Sequence, residues 1–133
     1  MDIAYSAERR PGYAELDGLF STVQWQVSGH IDRLVKAMGK YDRVITAWDG
    51  ERLAGLVCSL DDGAITAYIH YLIVHPDYRR RGVGKELMRR IMREYVGFMR
   101  VELIADADAV GFYEGLDFGA INAVPMCTMP PEE

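Results

Sequence analysis

Cysteine is scarce in this sequence. Cys58 and Cys127 are the two present, too few for a disulfide framework and without the spacing of a metal site. The expected setting is therefore a reducing cytoplasm, with no metal. Long apolar runs are missing too: none approaches the roughly 18 residues that span a bilayer. The opening Met1-Asp2-Ile3-Ala4-Tyr5 does not read as a signal peptide. No proline-rich linker, repeat or low-complexity tract interrupts the chain, so residues 1–133 are expected to form one domain. Positive charge is in deficit, with 15 basic against 20 acidic side chains and a formal net charge of -5. That argues against nucleic acid as a partner.

Half the residues are hydrophobic and 26% are charged, an ordinary globular balance for 133 residues. A chain of this length buries a core without disulfide or metal support. The sparse positive charge is strongly clustered. Arg79, Arg80, Arg81, Lys85, Arg89, Arg90 and Arg93 place seven of the fifteen basic residues between positions 79 and 93. One basic patch on an acidic protein points to a small anionic ligand.

Hydrophobic periodicity orders the elements. A short strand is expected over 3–6 and a helix over 13–23, where Tyr13, Leu16, Leu19, Phe20 and Val23 share a face. Ser28 is placed as the N-cap of a second helix carrying Ile31, Leu34, Val35 and Met38. Strands follow over 43–48 and 53–60, joined by an Asp49-Gly50 hairpin turn. Asp61-Asp62-Gly63 is a further turn. A long β-rich run covers 64–74 and stops at Pro76, which cannot continue a ladder. A helix is expected over 82–95, a strand over 100–104, and a short helix capped by Asp106 or Asp108. Final strands are expected over 118–121 and 125–129, with 126–129 a candidate edge for pairing. This pattern is an α/β (α+β) fold, a mixed sheet with helices on its faces.

The turn Arg79-Arg80-Arg81-Gly82-Val83-Gly84-Lys85 lies between the apolar Tyr71-Leu72-Ile73-Val74 and an amphipathic helix. Strand, glycine-bearing basic turn and helix in succession suit an anionic phosphate. A helix start offers free N–H groups and positive potential, and glycine permits close approach.

With these residues in view, the chain resembles the GCN5-related N-acetyltransferase (GNAT) superfamily. Its acyl-CoA signature, Arg/Gln-x-x-Gly-x-Gly/Ala, is matched by Arg79-x-x-Gly82-x-Gly84. A second signature is matched by Asp106-x-x-Ala109-x-x-Phe112-Tyr113. The resemblance covers nearly the whole chain. It implies a sheet of six to seven strands, splayed between strands four and five, and acetyl-CoA as co-substrate. Acetyl-CoA would be held by the backbone of Leu72, Ile73 and Val74, by Arg79, Arg80, Arg81, Gly82, Val83, Gly84 and Lys85, and by Asp106 and Phe112. The family often has asparagine at the position of Asp106, and usually glycine at that of Asp117.

The implied reaction is direct attack of an amine on the thioester, with two proton tasks. Tyr113 matches the family tyrosine that protonates the departing thiolate. The position of a glutamate base in many relatives is Tyr68 here, and His70 lies two residues on, on the same strand face. An imidazole suits amine deprotonation, directly or through water; the alternative is a histidine satisfied within the sheet. His30 and His75 read as structural. Trp25, between the first two helices, and Tyr68 are candidate substrate contacts. The expected acceptor is a small-molecule amine, and the chain a monomer or homodimer. A protein or peptide acetyltransferase and a non-catalytic acyl-CoA-binding module are the competing classes.

Overall fold

The structure, a computed structural model, describes residues 2–128. A five-stranded sheet runs β1-β2-β3-β4-β5 in chain order. The strands are β1 (Ala4–Ser6), β2 (Arg43–Asp49), β3 (Arg52–Asp61), β4 (Thr66–Val74) and β5 (Arg100–Leu103). The first four pair antiparallel, and β4 pairs with β5 in parallel through the crossover helix α3 (Val83–Arg93). The helices α1 (Tyr13–Phe20) and α2 (Ile31–Met38) connect β1 to β2, and α4 (Val110–Glu114) follows β5.

The sheet is buried on both faces. Leu16, Leu19 and Phe20 of α1 and Leu34 and Met38 of α2 cover Val44, Leu56, Cys58 and Ile73. On the other face Val83, Leu87, Met88 and Ile91 of α3 cover Ile45, Val57, Ala67 and Ile69. Each such side chain contributes about 1.5–3 kcal/mol on burial. The long strands β2 and β3 therefore read as near-continuous apolar runs.

Three expectations shift. The first helix ends at Phe20 rather than at residue 23, because Ser21 and Thr22 turn their hydroxyls back on Asp17 and on the Leu19 carbonyl. Ser28 is not a cap. Its Oγ donates to the Phe20 carbonyl at 2.8 Å within the 3-10 turn Gln26–Gly29, and His30 takes the N-cap position of α2. The strands expected over 118–121 and 125–129 are absent among the described residues, which leaves five strands rather than six or seven. Phe118 packs on the core, but residues 119–128 are exposed, bury no face, and include Pro125, which lacks a ladder donor. Met129 lies outside the described residues. The left-handed conformation at Asp117 survives without glycine, at φ 70°.

Two features of β4 position the site. Its pairing with β5 runs only from Thr66↔Arg100 to Ile69↔Leu103. Beyond that β4 continues to Val74 while β5 stops, so this edge of β4 is left without β5 as a partner. The second feature is a bulge: Cys58 pairs with Tyr71 but Ser59 pairs with Ile69, which makes His70 the extra residue. Strand phase changes there. Ala67 and Ile69 share the α3 side with Leu72 and Val74, whereas Tyr71 and Ile73 face α1 and α2.

Gly55, on β3 opposite Val74, sets how closely β3 and β4 approach. A Cβ there would lie 2.8 Å from the Ile73 carbonyl oxygen and 3.3 Å from Leu87 Cδ1. Gly55→Ala is expected to destabilise the fold by about 1–3 kcal/mol. Urea unfolding reads this as a lower midpoint at unchanged slope; an unchanged midpoint contradicts the close approach.

Candidate functional site

Where β4 ends, the chain turns through His75 and the 3-10 turn Pro76–Tyr78 into the basic segment. Arg80 at φ 63° and Gly82 at φ 78° are both left-handed and curl this segment into the start of α3. Gly82 is the N-cap, and the first helical bond runs from Glu86 N–H to the Gly82 carbonyl at 3.0 Å. The N–H groups of Val83, Gly84 and Lys85 precede it and have no intrahelical acceptor. Arg79, Arg80, Arg81 and Lys85 are exposed around this turn. Arg90 is bound 2.7 Å from Glu86, which also pairs with Arg89. Those two guanidiniums hold the Glu86 carboxyl down to about 2.

The two sequence signatures meet at Gly84. A Cβ on Gly84 would lie 3.5 Å from Phe112 Cζ and 3.5 Å from Val74 Cγ2. The end of β4, the start of α3 and α4 therefore converge on one point. Donors without a metal, basic side chains and a position with no Cβ fit a pyrophosphate-bearing ligand. The edge of β4 that β5 leaves unpaired over Leu72, Ile73 and Val74 fits an extended arm. Among the described residues no cluster of His, Cys, Asp or Glu could hold a metal ion. No helix among them is long and apolar enough to cross a membrane.

Tyr113 sits half-buried on α4, on the α3 side of the sheet, with Phe112 at 5.1 Å and Phe118 at 6.0 Å between ring centroids. Burial pushes its phenol up from the usual value, and the Asp106 carboxylate adds to the shift. Asp106 occupies the N-cap position of the 3-10 turn Ala107–Ala109 without a side-chain capping bond.

The opposite face carries a line of rings. Trp25 stacks on Tyr71 at 5.5 Å and 15°, and Tyr71 stacks on His70 at 4.0 Å and 21°. Tyr68 lies 5.7 Å from His70, and Phe20 meets both Trp25 and Tyr71 edge-on. The Tyr41 hydroxyl lies 2.6 Å from His70 Nδ1. The structure thus brings together Trp25, Tyr68 and His70, and places Tyr113 across the sheet from them. Sequence reasoning gave no role to Tyr41 or Tyr71. Period-2 alternation puts Tyr71 opposite His70, and the bulge cancels that alternation. His30 stands at the N-cap position of α2 without a side-chain capping bond, while His75 Nδ1 accepts from Asp77 N–H at 3.1 Å. Asp62 accepts from the N–H groups of Ala64, Ile65 and Thr66, which accounts for it as a turn residue.

A mixed sheet whose fifth strand pairs with only part of the fourth, followed across a crossover by a glycine-capped helix, is the arrangement of the GNAT fold. Residues 7–118 match the model of the acetyltransferase (GNAT) family, and the chain belongs to that family. It is 32% identical over 116 residues to the uncharacterized N-acetyltransferase ycf52-like of Prochlorococcus marinus, covering 83% of this chain and 64% of the relative. It is 35% identical over 79 residues to the uncharacterized N-acetyltransferase YfmK of Bacillus subtilis, covering 59% of this chain and 47% of that one. The chain thus spans less than two thirds of the length of these curated relatives. Among solved structures, a GNAT family acetyltransferase of Streptococcus pneumoniae superposes with a TM-score of 0.84 at 24% identity, covering 98% of this chain and 100% of the other. Glucosamine-6-phosphate N-acetyltransferase of Arabidopsis thaliana superposes at 0.75 and 14% identity, covering 98% and 100%. These two likenesses speak to the fold alone.

Proposed function

We propose that this chain transfers the acetyl group of acetyl-CoA to the primary amine of a small molecule. The observation that carries this reading is the stretch of β4 that β5 leaves unpaired. The anion-binding turn and Phe112 stand at one end of it, and β4 presents the Trp25–Tyr71–His70–Tyr68 rings on one face. Acetyl-CoA supplies an activated thioester. The backbone of Val83, Gly84 and Lys85 and the arginines of the turn hold its phosphates. The edge of β4 over Leu72, Ile73 and Val74 aligns its arm.

The ring wall receives the acceptor. Trp25, at the end of the stack, offers apolar surface to the body of the molecule, Tyr71 supports it from between Trp25 and His70, and aromatic faces attract an ammonium group. His70 takes the proton of the ammonium, directly or through water, so that neutral nitrogen attacks the carbonyl. Tyr113, kept protonated by burial and by Asp106, gives its proton to the departing sulfur. Base and acid stand on opposite faces of the sheet, beside the stretch of β4 that β5 leaves unpaired.

The test is thiol release from acetyl-CoA against arylalkylamines, polyamines, aminoglycosides, amino acids and short peptides. Turnover is expected with small primary amines that carry an apolar body. Turnover confined to peptides would favour a peptide acetyltransferase. Binding of CoA without turnover on any class would favour a non-catalytic acyl-CoA-binding module.

A further inference from the structure

The short segment between β4 and the basic turn is tied to the β2–β3 hairpin, and the chemistry above makes no use of those ties. His75 N–H donates to the Ala54 carbonyl of β3 at 2.8 Å. The Tyr78 hydroxyl, on a ring 4% exposed, donates to the Asp49 carboxylate at the end of β2. Arg52, the first residue of β3, donates from Nη2 to Asp77 Oδ2 at 2.8 Å, and its guanidinium lies 5.3 Å over the Tyr78 ring. Asp77 is held at its backbone as well, since its N–H donates to His75 Nδ1 at 3.1 Å. Burial first, and then Arg52, hold the His75 imidazole below its usual pKa, so it stays neutral and accepting at about pH 7.5.

The basic turn begins just beyond this segment. Arg80 sits at φ 63°, in the left-handed region that is unfavourable for a residue with a Cβ. Such a conformation persists only where the surrounding structure holds it. Downstream it is held by the start of α3, which is packed into the core through Val83. Upstream it is held by residues 75–78, whose side-chain ties run to Asp49 and Arg52. The Tyr78 tie belongs to the core. The Arg52–Asp77 tie is about half exposed, so it can be cut without opening the core.

Resting on the reading of residues 79–85 as the phosphate-holding turn, we infer that Arg52 is a positioning residue for acetyl-CoA. It acts through Asp77. Their bond anchors the upstream end of the turn on β3, so that Arg79, Arg80 and Arg81 stand arranged against the start of α3 before the phosphates arrive. A site arranged in advance spares the ligand the cost of ordering it. When the competent arrangement is only fractionally populated, affinity falls by that fraction.

The sign of two substitutions separates anchoring from charge alone. If Arg52 only lends positive potential, Arg52→Met weakens binding of an anion, Asp77→Ala strengthens it, and the double variant binds like the unmodified chain. If the bond anchors the turn, both single variants weaken binding. The double variant is then no weaker than the weaker single one, because both changes cut the same bond.

The experiment is calorimetric titration of the full chain with CoA at about pH 7.5 and one low ionic strength, since salt screens an exposed bond. Arg52→Met keeps an apolar stem over Tyr78. It and Asp77→Ala are each expected to weaken CoA binding by about threefold to tenfold, with the double variant in the same range. Arg52→Lys retains the charge and a donor, and is expected to stay within about twofold of the unmodified chain. Urea midpoints are expected to hold in every variant, because an exposed ion pair contributes little to global stability. Opposite signs in the two single variants, unchanged affinity throughout, or a double variant that binds like the unmodified chain overturns the anchoring and leaves the phosphate turn standing. A midpoint that falls in step with affinity overturns it too, and makes the bond a strut of the whole fold. Failure of the unmodified chain to bind CoA overturns the phosphate turn and the inference with it.

Discussion

Tyr113→Phe is expected to lower single-turnover acetyl transfer by about 100-fold or more, the range set by loss of a positioned proton donor. Phenylalanine keeps the ring that packs against Phe112 and Phe118, so stability and CoA affinity are expected to hold. The sign of the pKa shift sharpens the test. Burial and the Asp106 carboxylate both favour the neutral phenol, so the acid form persists above the ordinary tyrosine value of 10.0. The midpoint for loss of the acid on the alkaline side therefore lies above the ordinary tyrosine value, and the rate shows no alkaline fall from Tyr113 between pH 7 and 9. Asp106→Asn removes the carboxylate's contribution and brings that fall to lower pH. Rapid-mixing assays with the unmodified chain, Tyr113→Phe and Asp106→Asn separate these effects. A Tyr113→Phe variant with full single-turnover rate would sink the acid role and leave Tyr113 a packing residue of the α3 face.

The hydrophobic pattern made most of the sheet legible. β2, β3 and the long β4 announce themselves as apolar runs broken by Asp49-Gly50 and Asp61-Asp62-Gly63, and local turn chemistry is enough to set those breaks. The basic turn was equally legible, since strand, glycines and helix follow one another in a short span. What escaped was everything that depends on register between distant segments. The bulge at His70 is a relation between β3 and β4, and no local signal in Ile69-His70-Tyr71 marks it. Its consequence, the stacking of Tyr71 on His70, was hidden with it. Tyr41 follows Gly39 and Lys40 just past α2, where helical periodicity has already ended. Only the fold shows that it reaches β4 from behind. The missed end strands have the opposite cause. Residues 118–121 and 125–128 have strand-like composition, but composition cannot say whether a strand finds a face to bury.

Replacing His70 divides the base role from a structural one. His70→Gln is expected to lower kcat/KM for the amine by about 100-fold, because an amide cannot take a proton at neutral pH. Glutamine still offers an oxygen and an NH2 group to the Tyr41 hydroxyl. A purely structural contact would therefore survive largely intact, and turnover with it. The histidine is exposed at a bulge rather than sealed in the core, so unfolding midpoints are expected to stay close to that of the unmodified chain. CoA affinity is expected to be unchanged as well, since the anion-binding turn lies beyond the far end of β4. The informative quantity is the ratio of the two losses: amine turnover falls while thermal stability and CoA binding do not. Equal losses in all three would make His70 a strut between Tyr41 and Tyr71. Full turnover in His70→Gln would pass the proton to water and leave the ring wall as a binding surface alone.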